Sequence, residues 1–295
     1  MKKLKQDDII KSTLMFWVDD SIETNYENKY KNELLKYKNI QQVTTPSGLR
    51  DFIRSSEESI KLLETVLGIS GERFKRVITA LRVQKGFVVG SEWSEKAIQQ
   101  NLVRNLNFMN EFCDLFFNQE RFKGFIPKSI LNEFIIDKDR LNILCSDDVL
   151  LKQIKDTFSA SYNSTCASSY ASSIISQIKD ITNRYGLRIE KTIDRNLGYN
   201  GELTFISDGD KKIIVTIQYL VTTSNNQTAY AKKIQEIRSA TAGKSKYLLV
   251  NILDGAGWVA RHADFEKIYN DCHYFLNRAN IHIIESIVTE FYNIK

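Results

Sequence analysis

Proline is nearly absent from this chain, with two residues in 295, and histidine is scarce, with three. The shortage of proline accompanies an abundance of Lys, Asn, Ile and Tyr; it reads as A/T-biased coding and carries no functional weight. The four cysteines, Cys113, Cys145, Cys166 and Cys272, stand far apart with no Cys-x-x-Cys pair. With so few histidines to complete a ligand set, that spacing argues against a structural zinc centre. Free thiols in a reducing cytoplasm are expected instead. No run reaches the ~20 apolar residues that a membrane-spanning helix needs. The first residues, Met1-Lys-Lys-Leu-Lys-Gln-Asp-Asp, lack the apolar stretch of a secretory signal. No membrane partner is expected.

Hydrophobic residues make up 42% of the chain and aromatics 11%, the proportions of a folded globular protein. Its length allows one large domain or two of ordinary size, and two are expected. The net charge of +5 is a mild basic excess, compatible with a nucleic-acid partner but far below the density of a tail-driven binder.

Apolar spacing makes the first half mostly helical. Ile60, Leu63 and Leu67, then Phe74, Ile78 and Leu81, recur at three and four residues, with Gly68 and Gly71 between two helices. A further helix is expected from Glu95 to about Phe117. The serine-rich stretch between Asp156 and Ser176 offers hydroxyls that compete for backbone hydrogen bonds and reads as a loop or domain junction. A helix then runs from Ser172 to near Gly186. Beyond it, β-branched and aromatic residues dominate Leu187–Ile193, 202–206 and 212–222, and the Asp208-Gly209 step predicts a hairpin over 202–222. Helical periodicity returns from Gln227 to about Ala240. A continuous apolar strand, Lys246–Leu253, follows, and then an amphipathic helix over 264–275. The expected fold is α/β, a mixed sheet flanked by helices and preceded by a mostly helical region. The expected divisions are a helical domain over 1–155, a candidate for DNA recognition, a serine-rich junction and helix over 156–186, and the α/β core over 187–295.

The hairpin has the layout of a metal-dependent nuclease: an acid on the first strand, Glu202, and two polar side chains two positions apart on the second, Thr216 and Gln218. Such a site holds Mg2+ through carboxylate and backbone oxygens, and the third residue orients the attacking water. The order continues with Leu248-Leu-Val-Asn-Ile-Leu-Asp254-Gly-Ala-Gly-Trp258, then Ala263-Asp-Phe-Glu-Lys-Ile-Tyr and Tyr274-Phe-Leu-Asn. Over about 110 residues this succession resembles the DpnII/MboI group of restriction endonucleases, within the PD-(D/E)XK superfamily; the Asp-Gly-x-Gly-Trp step is its most specific piece. The resemblance implies a type II endonuclease that hydrolyses double-stranded DNA with Mg2+, as a homodimer on a short palindrome. Glu202 then binds metal and Gln218 orients water. This chain departs from the group at Thr216, which stands where a second carboxylate is usual. The resemblance assigns the displaced acid to Glu236, with Glu190 and Asp194 as weaker substitutes. A rival reading follows from Thr216 itself, a nuclease-fold protein that binds DNA and has lost the reaction.

For DNA contact, Arg73, Lys75, Arg76, Arg82 and Lys85 form one basic cluster, and Lys232, Lys233 and Arg238 another. The serine-rich stretch adds Asn163, Ser164, Ser168, Ser169 and Tyr170, hydroxyls and an amide able to meet phosphates or base edges. His262 and His273 read as packing or surface residues. The glycines around Asp254 read as a structural turn, and Trp258 as a packing residue.

Overall fold

The computed structural model describes residues 2–37, 40–88, 90–222 and 225–294. The chain divides into two compact units, 24–160, and 1–23 with 161–295. The expected border at 155–156 lies close to the second division. The first 23 residues, expected in the helical domain, belong instead with the α/β unit.

Helices α1 (Gln6–Ser12) and α2 (Asp20–Lys36) open the chain. Then follow α3 (Pro46–Ser55), α4 (Ser59–Leu67), α5 (Gly71–Gln84), α6 (Glu95–Arg104), α7 (Leu106–Phe117), α8 (Lys128–Leu131) and α9 (Lys138–Leu144). Side-chain caps begin several of them. Thr45 accepts from Gly48 N–H at 3.1 Å ahead of Pro46, and Asp137 accepts from Arg140 N–H at 2.8 Å. The single helix expected over 95–117 is two. Asn105 leaves helical geometry and its side chain accepts from Phe108 N–H at 3.0 Å, which caps α7. The helical unit packs around Leu63, Phe74, Ile78, Phe112, Phe116 and Phe134, all buried.

The serine-rich loop expected over 156–176 is not a loop. It lies within α10 (Asp147–Asn183), 37 residues long. The hydroxyls that were expected to break the helix bond back to it: Thr157 to Gln153 O at 2.9 Å, Ser159 to Asp156 O at 2.8 Å and Thr165 to Ser161 O at 2.8 Å. Cys166, Tyr170, Ile174, Ile178 and Ile181 form a buried stripe along it, and each fully buried apolar side chain is worth ~1.5–3 kcal/mol. That burial outweighs the weak helix preference of serine.

The sheet follows: β1 (Arg188–Thr192), β2 (Leu203–Asp208) and β3 (Lys211–Tyr219) form an antiparallel meander. Helix α11 (Asn225–Thr241) leads to β4 (Tyr247–Asp254), parallel to β3 and buried over nearly its whole length. The chain continues through α12 (Ala256–Val259) and α13 (His262–Asp271) to a short strand the periodicity did not reveal, β5 (Tyr274–Leu276), parallel to β4. Helix α14 (Ile283–Tyr292) ends the fold. The sheet order is β1-β2-β3-β4-β5. One face, with Leu203, Phe205, Ile214, Leu249 and Leu253, packs against Ile234 and Ile237 of α11 and Phe265 and Ile268 of α13. On the other, Tyr170 of α10 stacks on Tyr219, and Tyr292 of α14 donates to Ile206 O at 2.6 Å. Among the described residues no helix is long and apolar enough to cross a membrane.

Asp254, at the end of β4, is fully buried and ties remote parts of this unit together. Its carboxylate accepts Leu14 N–H at 2.6 Å, Arg278 N–H at 2.8 Å and the Tyr170 hydroxyl. Burial pushes its carboxyl above the usual carboxylate range, although these hydrogen bonds pull the other way. The next residue, Gly255, has φ +112° and sits against Leu220, where a Cβ would lie 2.1 Å from the Leu220 carbonyl oxygen. Its N–H donates to Leu14 O at 2.8 Å.

Gly255→Ala is therefore expected to cost more than ~3 kcal/mol, because backbone at Leu220 must move as well as the turn. Gly209→Ala, at φ +57° with nothing near its Cβ position, should cost only the ~1–2 kcal/mol of a left-handed non-glycine residue. Urea denaturation of the two variants measures the gap, and equal losses would refute this account of the turn.

Candidate functional site

Strand alternation and the cover provided by α11 decide where the hairpin's polar residues go. In β3, Ile214, Thr216 and Gln218 share one face and pair with Leu249, Asn251 and Leu253 of β4. Because α11 lies over that face, Thr216 is only 6% exposed. Its hydroxyl donates to Asn251 Oδ1 at 2.9 Å, and the Tyr230 hydroxyl from α11 donates to the same oxygen at 2.7 Å. Asn251 is wholly buried, and its Nδ2 has no partner among the described residues. Burial raises the Tyr230 phenol above its ordinary range, so it stays neutral. Tyr230 also packs on Trp258 with ring centroids 5.7 Å apart; Trp258 is buried completely, its Nε1 without a partner among the described residues. Gln218 is half-buried at the end of this face.

The acids lie elsewhere. Glu202 precedes β2, is exposed, and pairs with Lys191 of β1 at 3.3 Å, an arrangement worth at most ~1 kcal/mol in water. Glu236 is exposed on α11 and lines an open depression of about 660 Å3 with Tyr199, Asn200 and Lys232. Glu190 is exposed on β1. Asp194 is 7% exposed and bonded to Lys212 Nζ, the Tyr247 hydroxyl and Asn196 N–H at 2.9, 2.9 and 3.0 Å. Burial alone would raise its carboxyl, but these three donors hold it below the usual range.

A magnesium site needs several oxygen ligands converging on one point at ~2.0–2.1 Å. Among the described residues no three His, Cys, Asp or Glu side chains are grouped to hold a metal. Thr216 offers a buried neutral hydroxyl already engaged with Asn251. The residues nominated for Mg2+, Glu202 and Glu236, do not fit that ion as they stand.

The nominated DNA contacts are also dispersed. Arg82 is 1% exposed; its guanidinium lies 3.7 Å from the Trp93 ring centroid and donates to Ser91 O and Val88 O at 3.0 and 3.2 Å. Tyr170 is buried against Asp254. Both side chains are packed in the interior of their units, with their polar tips engaged inside the protein. Arg73 pairs with Glu133, Lys75 with Glu95 at 2.9 Å, Arg76 with Glu72 at 3.7 Å and Lys85 with Glu111 at 2.7 Å, so the first basic cluster is largely neutralised. Ser164 and Ser168 are exposed on α10. Ser169 donates to Asp19 at 2.6 Å and accepts from Trp17 Nε1 at 3.2 Å. Lys232 is exposed and Lys233 half-buried on α11.

Tyr230 and Asn251 escaped the sequence reading. An asparagine inside the apolar run Leu248-Leu-Val-Asn-Ile-Leu was the available signal, since a polar residue buried in a strand requires a partner. His262 is at the surface, 3.5 Å from Gln6. His273 accepts Leu249 N–H on Nδ1 at 2.9 Å, beside Arg238. Burial, then the charges of Arg238 and Lys3, push it down to about 4.

No protein-family model, no curated protein and no solved structure matches the chain.

Two measurements bear on this geometry. Thr216→Glu puts a carboxylate into the buried site beside the neutral Asn251 and Tyr230; it should destabilise by ~3 kcal/mol or more, against ~1 kcal/mol for Thr216→Val. Comparable denaturation midpoints for the two would count against the closed network. His273 takes up a proton near pH 6.5 in the unfolded chain but only near 4 when folded. Its contribution is therefore complete above about 6.5 and lost as pH falls toward 4. His273→Gln, which keeps an acceptor for Leu249 N–H, should flatten the acid side of the stability profile by on the order of 2 kcal/mol after allowance for partial exposure. Parallel profiles for variant and parent would show that another group sets it.

Proposed function

We propose that this chain binds double-stranded DNA through its α/β unit and does not hydrolyse it at Glu202, Thr216 and Gln218. The observation that carries the reading is the fate of the second-carboxylate position: Thr216 is buried and hydrogen-bonded to Asn251 under α11. The order of hairpin, helix, parallel strand and Asp-Gly-x-Gly-Trp turn, with the resemblance it carries, supports a nuclease-like core. The overall charge of +5 and the cationic side chains of Lys232 and Lys233 on α11 support an anionic partner. DNA affinity of this kind comes from phosphate neutralisation and needs no metal. A palindromic site would be read by two copies related by a two-fold axis.

Fluorescence anisotropy on duplex DNA, with Mg2+ and with EDTA, together with a cleavage assay on phage DNA, tests this. Binding of equal strength in both buffers without cutting is expected. Replacing Lys232 and Lys233 by Glu should weaken binding to all sequences alike and reduce the salt dependence by ~2 in log–log slope. Mg2+-dependent cutting that disappears in Glu202→Ala would overturn the proposal and restore the reading as an active type II restriction endonuclease.

A further inference from the structure

The helical unit holds a cavity of about 560 Å3 between α4, the first turn of α5, the start of α6 and α10. Its size is that of a small-molecule site, typically ~300–1,000 Å3. Glu64 of α4 lines it and is 7% exposed, yet its Oε1 has no hydrogen-bond partner among the described residues. Gln153 of α10 lines it too, and its buried Oε1 is equally without a partner among the described residues. Two buried acceptors lacking donors are costly in a folded protein.

The wall between the carboxylates is glycine. A Cβ on Gly71 would lie 3.5 Å from Glu64 Oε2 and 3.7 Å from Glu95 Oε1, so both acids approach one point. Asp156 adds a third carboxylate to the lining, against one cation, Lys61. Lys75 holds Glu95 from the side at 2.9 Å, so the protein already places one ammonium in this cluster.

What is missing is a group bringing both N–H donors and positive charge. A divalent metal is a poor match, because no three acidic, His or Cys side chains are grouped to hold one among the described residues. A quaternary ammonium supplies charge without donors. We infer that this cavity binds a small organic cation whose charged group carries N–H donors, a primary ammonium or a guanidinium, with Glu64 as its counter-ion and Gln153 as a neutral acceptor. The site lies in the helical unit and is independent of the DNA-binding reading.

Burial, and then the neighbouring Glu95, raise the Glu64 carboxyl to about 7, with Lys75 and Lys61 opposing. The carboxylate that receives the cation therefore prevails above pH 7 and is protonated below it.

Isothermal titration of the full chain with agmatine, putrescine, tetramethylammonium and MgCl2, at pH 8 and pH 6, tests the inference. Agmatine or putrescine should bind at pH 8, with tetramethylammonium and Mg2+ at least about tenfold weaker, and affinity should fall about tenfold at pH 6. Glu64→Gln should lose about tenfold or more. Gly71→Ala adds a methyl beside both carboxylates without changing charge; it should lose binding while melting no lower than the parent, since alanine suits a helix better than glycine. It decides the matter if Glu64→Gln does not fold. Absence of binding by both amines, equal binding of tetramethylammonium, or undiminished binding by the folded variants would each overturn the assignment.

Discussion

A buried carboxylate costs free energy unless donors surround it, and in the α/β unit that demand organises the fold. Asp254 is satisfied by Leu14, Tyr170 and Arg278, from three regions far apart in the chain. Through it the extended segment before α2, the long helix α10 and the turn after β5 are held to the end of β4. The attachment is reinforced around it. Trp17 N–H donates to the Tyr219 hydroxyl at 2.6 Å, and the Arg278 guanidinium lies 4.3 Å from the Trp17 ring centroid. The glycines that follow Asp254 allow the backbone to pass against Leu220 and Thr222, where no side chain fits. The Asp-Gly-Ala-Gly-Trp motif is thus a structural junction, as its glycines suggested, and its aspartate is committed to holding the unit together.

The polar network a few residues away follows the same physics with a different outcome. Thr216, Asn251 and Tyr230 are neutral, and their mutual hydrogen bonds let α11 close over the sheet without burying a charge. A carboxylate at Thr216 would require either a metal ion or water in the same space. The closed interior leaves no such space at this face of β3. That is why the proposed function separates DNA affinity from the reaction.

Much of the α/β unit was legible. The β-branched runs, the Asp208-Gly209 step and the apolar stretch ending at Asp254 correspond to β1 through β4, because strands announce themselves by composition and tight turns by glycine. The serine-rich stretch misled: its hydroxyls were read as competitors of the backbone, yet the four-residue spacing from Cys166 through Tyr170, Ile174 and Ile178 was present and wins through burial. Arg82 looked like part of a basic surface cluster with Arg73 and Arg76, but helical position places it inward on Trp93. Asn105 was passed over within an apolar periodicity, although asparagine is a strong N-cap.

Periodicity, turn chemistry and composition by themselves determined the α/β class and the order of β1 through β4 with α11, since each depends on neighbours within a few residues. Tertiary structure alone decided which polar residues meet. Alternation puts Thr216 and Gln218 on one face of β3, but whether that face is open to solvent or covered depends on where α11 returns and on Asn251 and Tyr230, 35 and 14 residues farther along the chain. The same holds for Glu64 and Gln153, brought to one cavity by α4 and α10, helices far apart in the chain. Burial is a property of the assembled layers, and its cost for a charge or an unpaired polar atom is what turns a readable pattern into a particular site.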